Sequence, residues 1–250
     1  MTDSKDTDSI GADSVFYSFR RCPYAMRARM ALKVSGANPQ LRDITLKDKP
    51  QEMLEASPKG TVPVLVCPDG RVIDQSLEIM RYALSLNDPQ NWMKNAEGAE
   101  ALIAQNDGAF KAALDRYKYP VRFADEAAQY GDDEDDNNAR GLDALKALAF
   151  AECKDFFNQL NAVLRQQAFL AGDHIGLADI AIFPFIRQAA FVDRSAFDAL
   201  PFSFLQDWFE KIINSSLFLS IMPAVSPWKN GQKPILFQDV MIASCANCPA

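Results

Sequence analysis

Apolar positions along this chain follow two regimes: short β-branched or aromatic runs alternate with helical patterns early on, and long helical patterns alone follow. Val15 to Phe19 predicts a strand that ends in Arg20-Arg21-Cys22-Pro23, and helical spacing then continues to Ser35, just before Gly36. Pro23 suits the first helical turn, where its missing N–H would have no partner anyway, and Gly36 suits the position past the helix end. Cys22 is then the N-cap. Leu41 to Thr45 predicts a second strand, Gln51 to Ala56 a short helix, and Val62 to Val66 a third strand reached through Thr61-Val62-Pro63. Cys67-Pro68-Asp69-Gly70 has turn composition, with Val72-Ile73 pairing back across it. From Ser76, a candidate cap, Leu77, Ile79, Met80, Ala83, Leu84 and Leu86 have helical spacing. The order β-α-β-α-β-β-α describes a small α/β unit.

Asn87-Asp88-Pro89-Gln90-Asn91 interrupts the pattern and marks a boundary. Beyond it, Ala99 to Tyr117 and Leu142 to Leu164 carry long 3.6-period patterns, separated by an acidic stretch read as a solvated loop. Leu177 to Phe191 is apolar nearly all round and so central to a bundle, Phe204 to Ile213 follows, and the segment over 225–250 is irregular. The expected organisation is a disordered tail over 1–14, an α/β domain over 15–86, a linker over 87–95, an all-helical domain over 96–224 and an extension over 225–250.

Composition narrows the function. Of 250 residues, 48% are hydrophobic and 24% charged, as in an average soluble protein, and no window is apolar enough to span a membrane. Residues 1–14 lack the apolar core of a secretory signal, so a cytoplasmic protein is expected. Its formal charge of −7 is matched by the acidic residues between Asp125 and Asp136, where no Lys or Arg occurs. Such a balance disfavours nucleic acid as a partner. A single histidine, His174, excludes multi-histidine metal centres, and no metal is expected. Five cysteines, at 22, 67, 153, 245 and 248, lack the spacing of a disulfide scaffold, so reduced thiols are expected.

The remaining question is where a thiolate would be stabilised. At a helix N-terminus Cys22 would meet unpaired N–H groups and the positive end of the helix dipole, which lowers a thiol pKa. Arg20, Arg21, Arg27 and Arg29 add positive charge nearby and would help further if they turn toward the sulfur. The competing reading is a small buried hydrophobe on a helix that the arginines merely coat.

Cys22-Pro23-Tyr24-Ala25, Thr61-Val62-Pro63-Val64-Leu65 and Gln75-Ser76, in this order and spacing, resemble the cysteine-type glutathione transferases, the omega-like class in particular. That resemblance covers most of Val15 to about Asn214 and implies a thioredoxin-like N-terminal domain followed by a helical-bundle C-terminal domain. It also implies glutathione as co-substrate, a small electrophilic or disulfide second substrate, and a homodimer. By the same resemblance the catalytic thiol falls on Cys22, and the backbone that pairs with the cysteinyl part of glutathione falls on Val62, with Pro63 as a cis proline. Gln75 and Ser76 fall where the γ-glutamyl end is held, and Lys49 where a lysine meets the glycyl carboxylate. Lys47 and Lys59 are near enough in sequence to compete for that last role.

Two departures from the family pattern stand out. Ala25 occupies the position of a second, resolving cysteine, so Cys22 has no local partner. The helical-domain motif reads Gly172-Asp173-His174-Ile175-Gly176-Leu177-Ala178-Asp179, with Gly176 in place of the hydroxyl cap and Asp179 still able to serve at N3. Tyr17 and Ser18, at the end of the first strand, are weaker candidates for thiolate stabilisation than the N-cap itself. Tyr117 and Tyr119 either line an acceptor pocket or pack between helices, and Cys245 and Cys248 have the spacing of half a zinc site or a redox pair but lack a second pair of ligands, so a mobile tail is expected there. The expected activity is glutathione-dependent thiol transfer or reduction through a mixed disulfide on Cys22. Conjugation of glutathione to apolar electrophiles, and a non-catalytic binding module, are the alternatives.

Overall fold

The computed structural model describes residues 9–130 and 137–243, which form two compact units. The first joins the chain up to Lys94 with the segment from Ile213 onward, and the second runs from Asn95 to Ile212.

In the first unit the order is β1 (Val15–Ser18), α1 (Pro23–Ser35), β2 (Gln40–Asp43), α2 (Gln51–Ala56), β3 (Val64–Val66), β4 (Val72–Ile73) and α3 (Ser76–Leu86). The strands form one sheet in the order β2-β1-β3-β4. β1 runs parallel to β2 and antiparallel to β3, and β4 returns antiparallel to β3. Helix α1 begins as its sequence dictates: Cys22 is an extended N-cap at φ −79° and ψ 124°, and Pro23 is the first helical residue. Gly36 ends it at φ 76°, a left-handed conformation that glycine adopts without the Cβ penalty of other residues.

The buried arginines of α1 do not follow the competing reading of a surface coat. Arg27 and Arg29 are 2% and 0% exposed, so they do not coat the helix; they enter the interior with partners. Arg29 donates to Ser18 Oγ at 2.8 Å, to the Ile221 carbonyl at 3.2 Å and to Asp43 Oδ1 at 2.5 Å. Burial pulls its pKa down to about 10, with Asp43 opposing, so it remains cationic at neutral pH.

Chain ends differ from expectation too. Residues 1–8 lie outside the described residues, but 9–14 are not a free tail: Ile10 is 5% exposed and its carbonyl accepts from Asn38 N–H at 2.8 Å. At the other end α11 (Ser216–Ser220) is followed by α12 (Phe237–Ala243), a helix within the segment expected to be irregular, and the stretch between them closes the β2 edge. Leu41 N–H donates to the Ile235 carbonyl at 2.8 Å, Phe237 N–H to the Pro39 carbonyl at 2.9 Å, and Gln40 bridges Leu236. Phe237 is fully buried with its ring edge on Phe16, 6.0 Å between centroids. Burying such a side chain stabilises by roughly 1.5–3 kcal/mol, which holds this strap against an edge that would otherwise expose unpaired amides. Residues 213–224, expected with the helical half, group with the first unit.

The second unit is helical: α4 (Ala96–Gln105), a π-turn over Asn106–Phe110, α5 (Lys111–Lys118), α6 (Ala124–Ala127), α7 (Asn137–Leu164), α8 (Leu177–Ala190), α9 (Arg194–Asp198) and most of α10 (Ser203–Ile213). The described part of the acidic stretch is helical rather than an open loop, and 131–136 lie outside the described residues. Helix α8 is buried nearly all round, as its sequence predicts. Among the described residues no helix is long and apolar enough to cross a membrane.

Candidate active site

The first helical turn of α1 places Cys22 where the strand β1 hands the chain to the helix. Its Sγ lies 3.7 Å from the Val62 carbonyl, and the side chain is half-buried. The Val62–Pro63 peptide bond is cis. Cys22 and Phe19 pack against a buried cluster of Tyr17, Ile44, Met53, Val62 and Val64. The sequence thus brings together two motifs forty residues apart: the thiol at the N-cap and the backbone of the turn before β3.

The remaining expected site residues divide by what they touch. Ser76 opens α3 but does not cap it, because Gln75 is the N-cap and makes no side-chain capping bond. Instead Ser76 Oγ accepts from Arg27 Nε at 3.0 Å, with both residues buried. Gln75 is exposed beside it. An Arg27 charge therefore stands behind Ser76, and the hydroxyl keeps its own proton to donate. Sequence reasoning missed this Arg27–Ser76 contact; a cation flanked by Met26, Ala28 and Met30 on a buried helix was the available signal.

Three lysines competed for one role, and their surroundings separate them. Lys59 is paired with Asp74 at 2.9 Å. Lys47 is exposed on the β2–α2 connection. Lys49 Nζ lies over Gly60: a Cβ built there would stand 3.5 Å from that nitrogen and 3.3 Å from Leu54 Cδ2. Gly60, at φ +60°, is buried immediately before Thr61-Val62-Pro63, so a side chain there would meet both a strained backbone and this neighbour. Lys49 is thus the lysine held against the turn that faces Cys22.

The arginines near the thiol are also distributed. Arg20 donates to the Met222 carbonyl at 3.1 Å, and Arg21 sits 5.4 Å over the Phe19 ring. Arg29 is coupled electrostatically to Cys22 from the interior. Tyr17 is 2% exposed and its hydroxyl accepts from Arg42 at 2.7 Å; burial pushes its pKa up. In the second unit Tyr117 is 4% exposed and stacked on Phe150 at 4.9 Å, an interhelical contact. Tyr119 lies under Lys118 and Arg122, at 5.0 and 4.1 Å from its ring centre. Cys245 and Cys248 lie outside the described residues.

Comparison with known proteins identifies the lineage. Residues 16–91 match the family model described as glutathione S-transferase, N-terminal domain, and residues 123–211 match the glutathione S-transferase, C-terminal domain. A probable glutathione transferase of Aplysia californica is 31% identical over 88 residues, 35% of this chain and 90% of that protein. The chain belongs to the glutathione S-transferase family. Within that family it is 41% identical to rat glutathione S-transferase omega-1 over 66 residues, 26% of this chain and only 27% of the rat protein. The fold is shared with glutathione transferase Omega 3C of Trametes versicolor, at a TM-score of 0.66 and 16% identity, covering 86% of this chain and 90% of that one. A Pseudomonas fluorescens family member solved with two glutathione bound has a TM-score of 0.68 at 16% identity, covering 88% and 95%.

The three described cysteines differ enough to be told apart by chemistry. Cys67 and Cys153 are 4% and 0% exposed. Burial pushes the Cys67 thiol up and the Cys153 thiol up to about 12, which disfavours the reactive thiolate at both. Iodoacetamide at pH 8 is expected to alkylate Cys22 at least about 100-fold faster than either, as peptide mapping would read. Equal labelling of Cys22 and Cys67 would contradict the exposure and the cap geometry together.

Proposed function

We propose that this chain is a glutathione-dependent thiol transferase working through Cys22. The observation that carries the reading is the half-buried Cys22 Sγ at the N-cap of α1, 3.7 Å from the Val62 carbonyl. Amide N–H groups of the first helical turn favour the anion, and the Val62 backbone beside the sulfur could pair with an extended peptide. In this reading Val62 with Pro63 aligns the cysteinyl part of glutathione, Gln75 and Ser76 hold the γ-glutamyl end, and Lys49 meets the glycyl carboxylate. Arg27 fixes Ser76 from behind.

The steps balance without any further oxidant. The Cys22 thiolate attacks the glutathione sulfur of a mixed disulfide, forming Cys22–S–S–glutathione and releasing the other half as a thiolate. A second glutathione thiolate then attacks the glutathionyl sulfur, forming oxidised glutathione and returning Cys22 as thiolate. Ala25 supplies no resolving thiol, so the external route is the natural one. The two glutathione molecules in the Pseudomonas fluorescens relative fit a cycle that uses two. Free thiols and reduced glutathione coexist in a reducing compartment, which suits a cytoplasmic setting.

The test is to mix the enzyme with a glutathionylated peptide lacking free glutathione, quench with acid and map the adduct. One glutathionyl group on Cys22, removed by added glutathione, is the expected result. Peptide release with an unmodified Cys22 would rule out the covalent route.

A further inference from the structure

A cavity of about 440 Å³ lies beside the candidate thiol, and none of the proposed glutathione contacts lines it. Its apolar wall includes Phe19 and Ile44. Ile44 belongs to the buried cluster that holds Val62, and Phe19 packs on that cluster alongside Cys22. Cavity and sulfur therefore share walls. Val225 and Pro227, from the strap after α11, also line it. Trp228 N–H fixes the strap there by donating to the Asp43 carbonyl at 2.7 Å, while Arg42 stacks on the Trp228 ring at 4.1 Å.

The rim of this cavity is cationic in a protein whose formal charge is −7. Arg20, Arg21 and Lys47 line it, and the one lining carboxylate, Asp43, is already met by the buried Arg29 at 2.5 Å. Arg20 is committed to the Met222 carbonyl. Among the described residues neither Arg21 nor Lys47 forms an ion pair, and both are exposed at the mouth. An apolar wall under two cations that have no ion pair among the described residues selects for an amphipathic anion.

We propose that this cavity is the acceptor subsite and takes a substrate with a small apolar body and a carboxylate. The body rests on Phe19, Ile44 and Val225, and the carboxylate lies between Arg21 and Lys47. This proposal rests on the thiol-transfer reading of Cys22, because it places the leaving half of the disulfide.

Two arms test it, on the full chain and on the double variant Arg21→Gln/Lys47→Gln. In the first, kcat/KM is measured for the mixed disulfides of glutathione with 4-mercaptobenzoate and with 4-methylthiophenol. The parent is expected to favour the carboxylate substrate by about tenfold, and the double variant to bring the ratio to within about twofold of one, a loss typical of partly exposed charge pairs. Using the ratio cancels any common effect of Arg21 on the thiol. In the second arm, binding of 2-naphthoate and 2-naphthylmethanol is titrated without turnover, with naphthoate expected to bind tighter only in the parent. If neither disulfide turns over while naphthoate binding persists and is lost in the variant, the thiol-transfer reading fails and the carboxylate subsite stands. A naphthoate affinity equal to that of the alcohol, or insensitive to the substitutions, overturns the subsite whatever the turnover.

Discussion

Replacing Cys22 with serine is expected to lower glutathione-dependent disulfide exchange by at least about a thousandfold, with the melting temperature and the glutathione affinity close to the parent's. The oxygen would occupy the same N-cap position, and the α1 amides would still point at it. A hydroxyl is nevertheless not ionised there at neutral pH, and an alkoxide neither attacks disulfide sulfur nor leaves it as a thiolate does. The variant separates three readings. Loss of exchange with a gain of conjugation to chlorodinitrobenzene supports Cys22 as the redox nucleophile. A parent that conjugates, shows no exchange and is indifferent to the substitution indicates that bound glutathione, rather than Cys22, is the reacting thiol. If glutathione at millimolar concentration fails to raise the melting temperature of the parent, the fold is being used without this ligand. Retention of more than a tenth of the exchange rate by the serine variant would remove Cys22 from the mechanism.

Local chemistry makes the thiol legible in the sequence. Pro23 and Gly36 delimit α1 by backbone constraints that act within a few residues, and they leave Cys22 at the cap whatever surrounds it. The Thr61-Val62-Pro63 turn and the hairpin over Cys67 to Gly70 are equally local. What sequence could not supply was partnership at long range. Ser76 is a fine cap by composition, but a buried Arg27 from α1 takes its hydroxyl oxygen. Lys47, Lys49 and Lys59 are indistinguishable as residue types; a neighbouring Asp74 removes Lys59, and the missing side chain of Gly60 makes room for Lys49. The strap gives no periodic signal because its backbone pairing to β2 imposes no apolar period; Leu236 and Phe237 are its hint. Charge alone predicts a loop for the first half of the acidic stretch, yet Ala127, 1% exposed, gives that segment one buried face and its helical turns.

Asp179→Ala is expected to destabilise the helical unit by about 3–5 kcal/mol, lowering the melting temperature by roughly 10 °C, because four donors lose their acceptor at once. Asp179 is 0% exposed at N3 of α8. Its Oδ1 accepts from Leu170 N–H at 2.7 Å and from the Trp208 indole at 2.8 Å; its Oδ2 accepts from Ala171 N–H at 3.3 Å and Gly176 N–H at 3.0 Å. One carboxylate thus ties the loop before α8, the start of α8 and the middle of α10. Burial pushes its carboxyl up, and the four donors pull it back toward the charged form. Because Gly176 has no hydroxyl to return a bond to N3, the carboxylate is the whole side-chain contribution to that cap. Asparagine is the informative control. It matches the shape, but only one of its two heads is an acceptor, so its NH₂ would face two N–H groups. The amide should therefore recover no more than about 1 kcal/mol of the loss, measured by urea unfolding of each variant. Near-complete recovery by asparagine would mean that shape, not the second acceptor, holds this junction, and a loss below about 1 kcal/mol for alanine would mean that water replaces the carboxylate there without penalty.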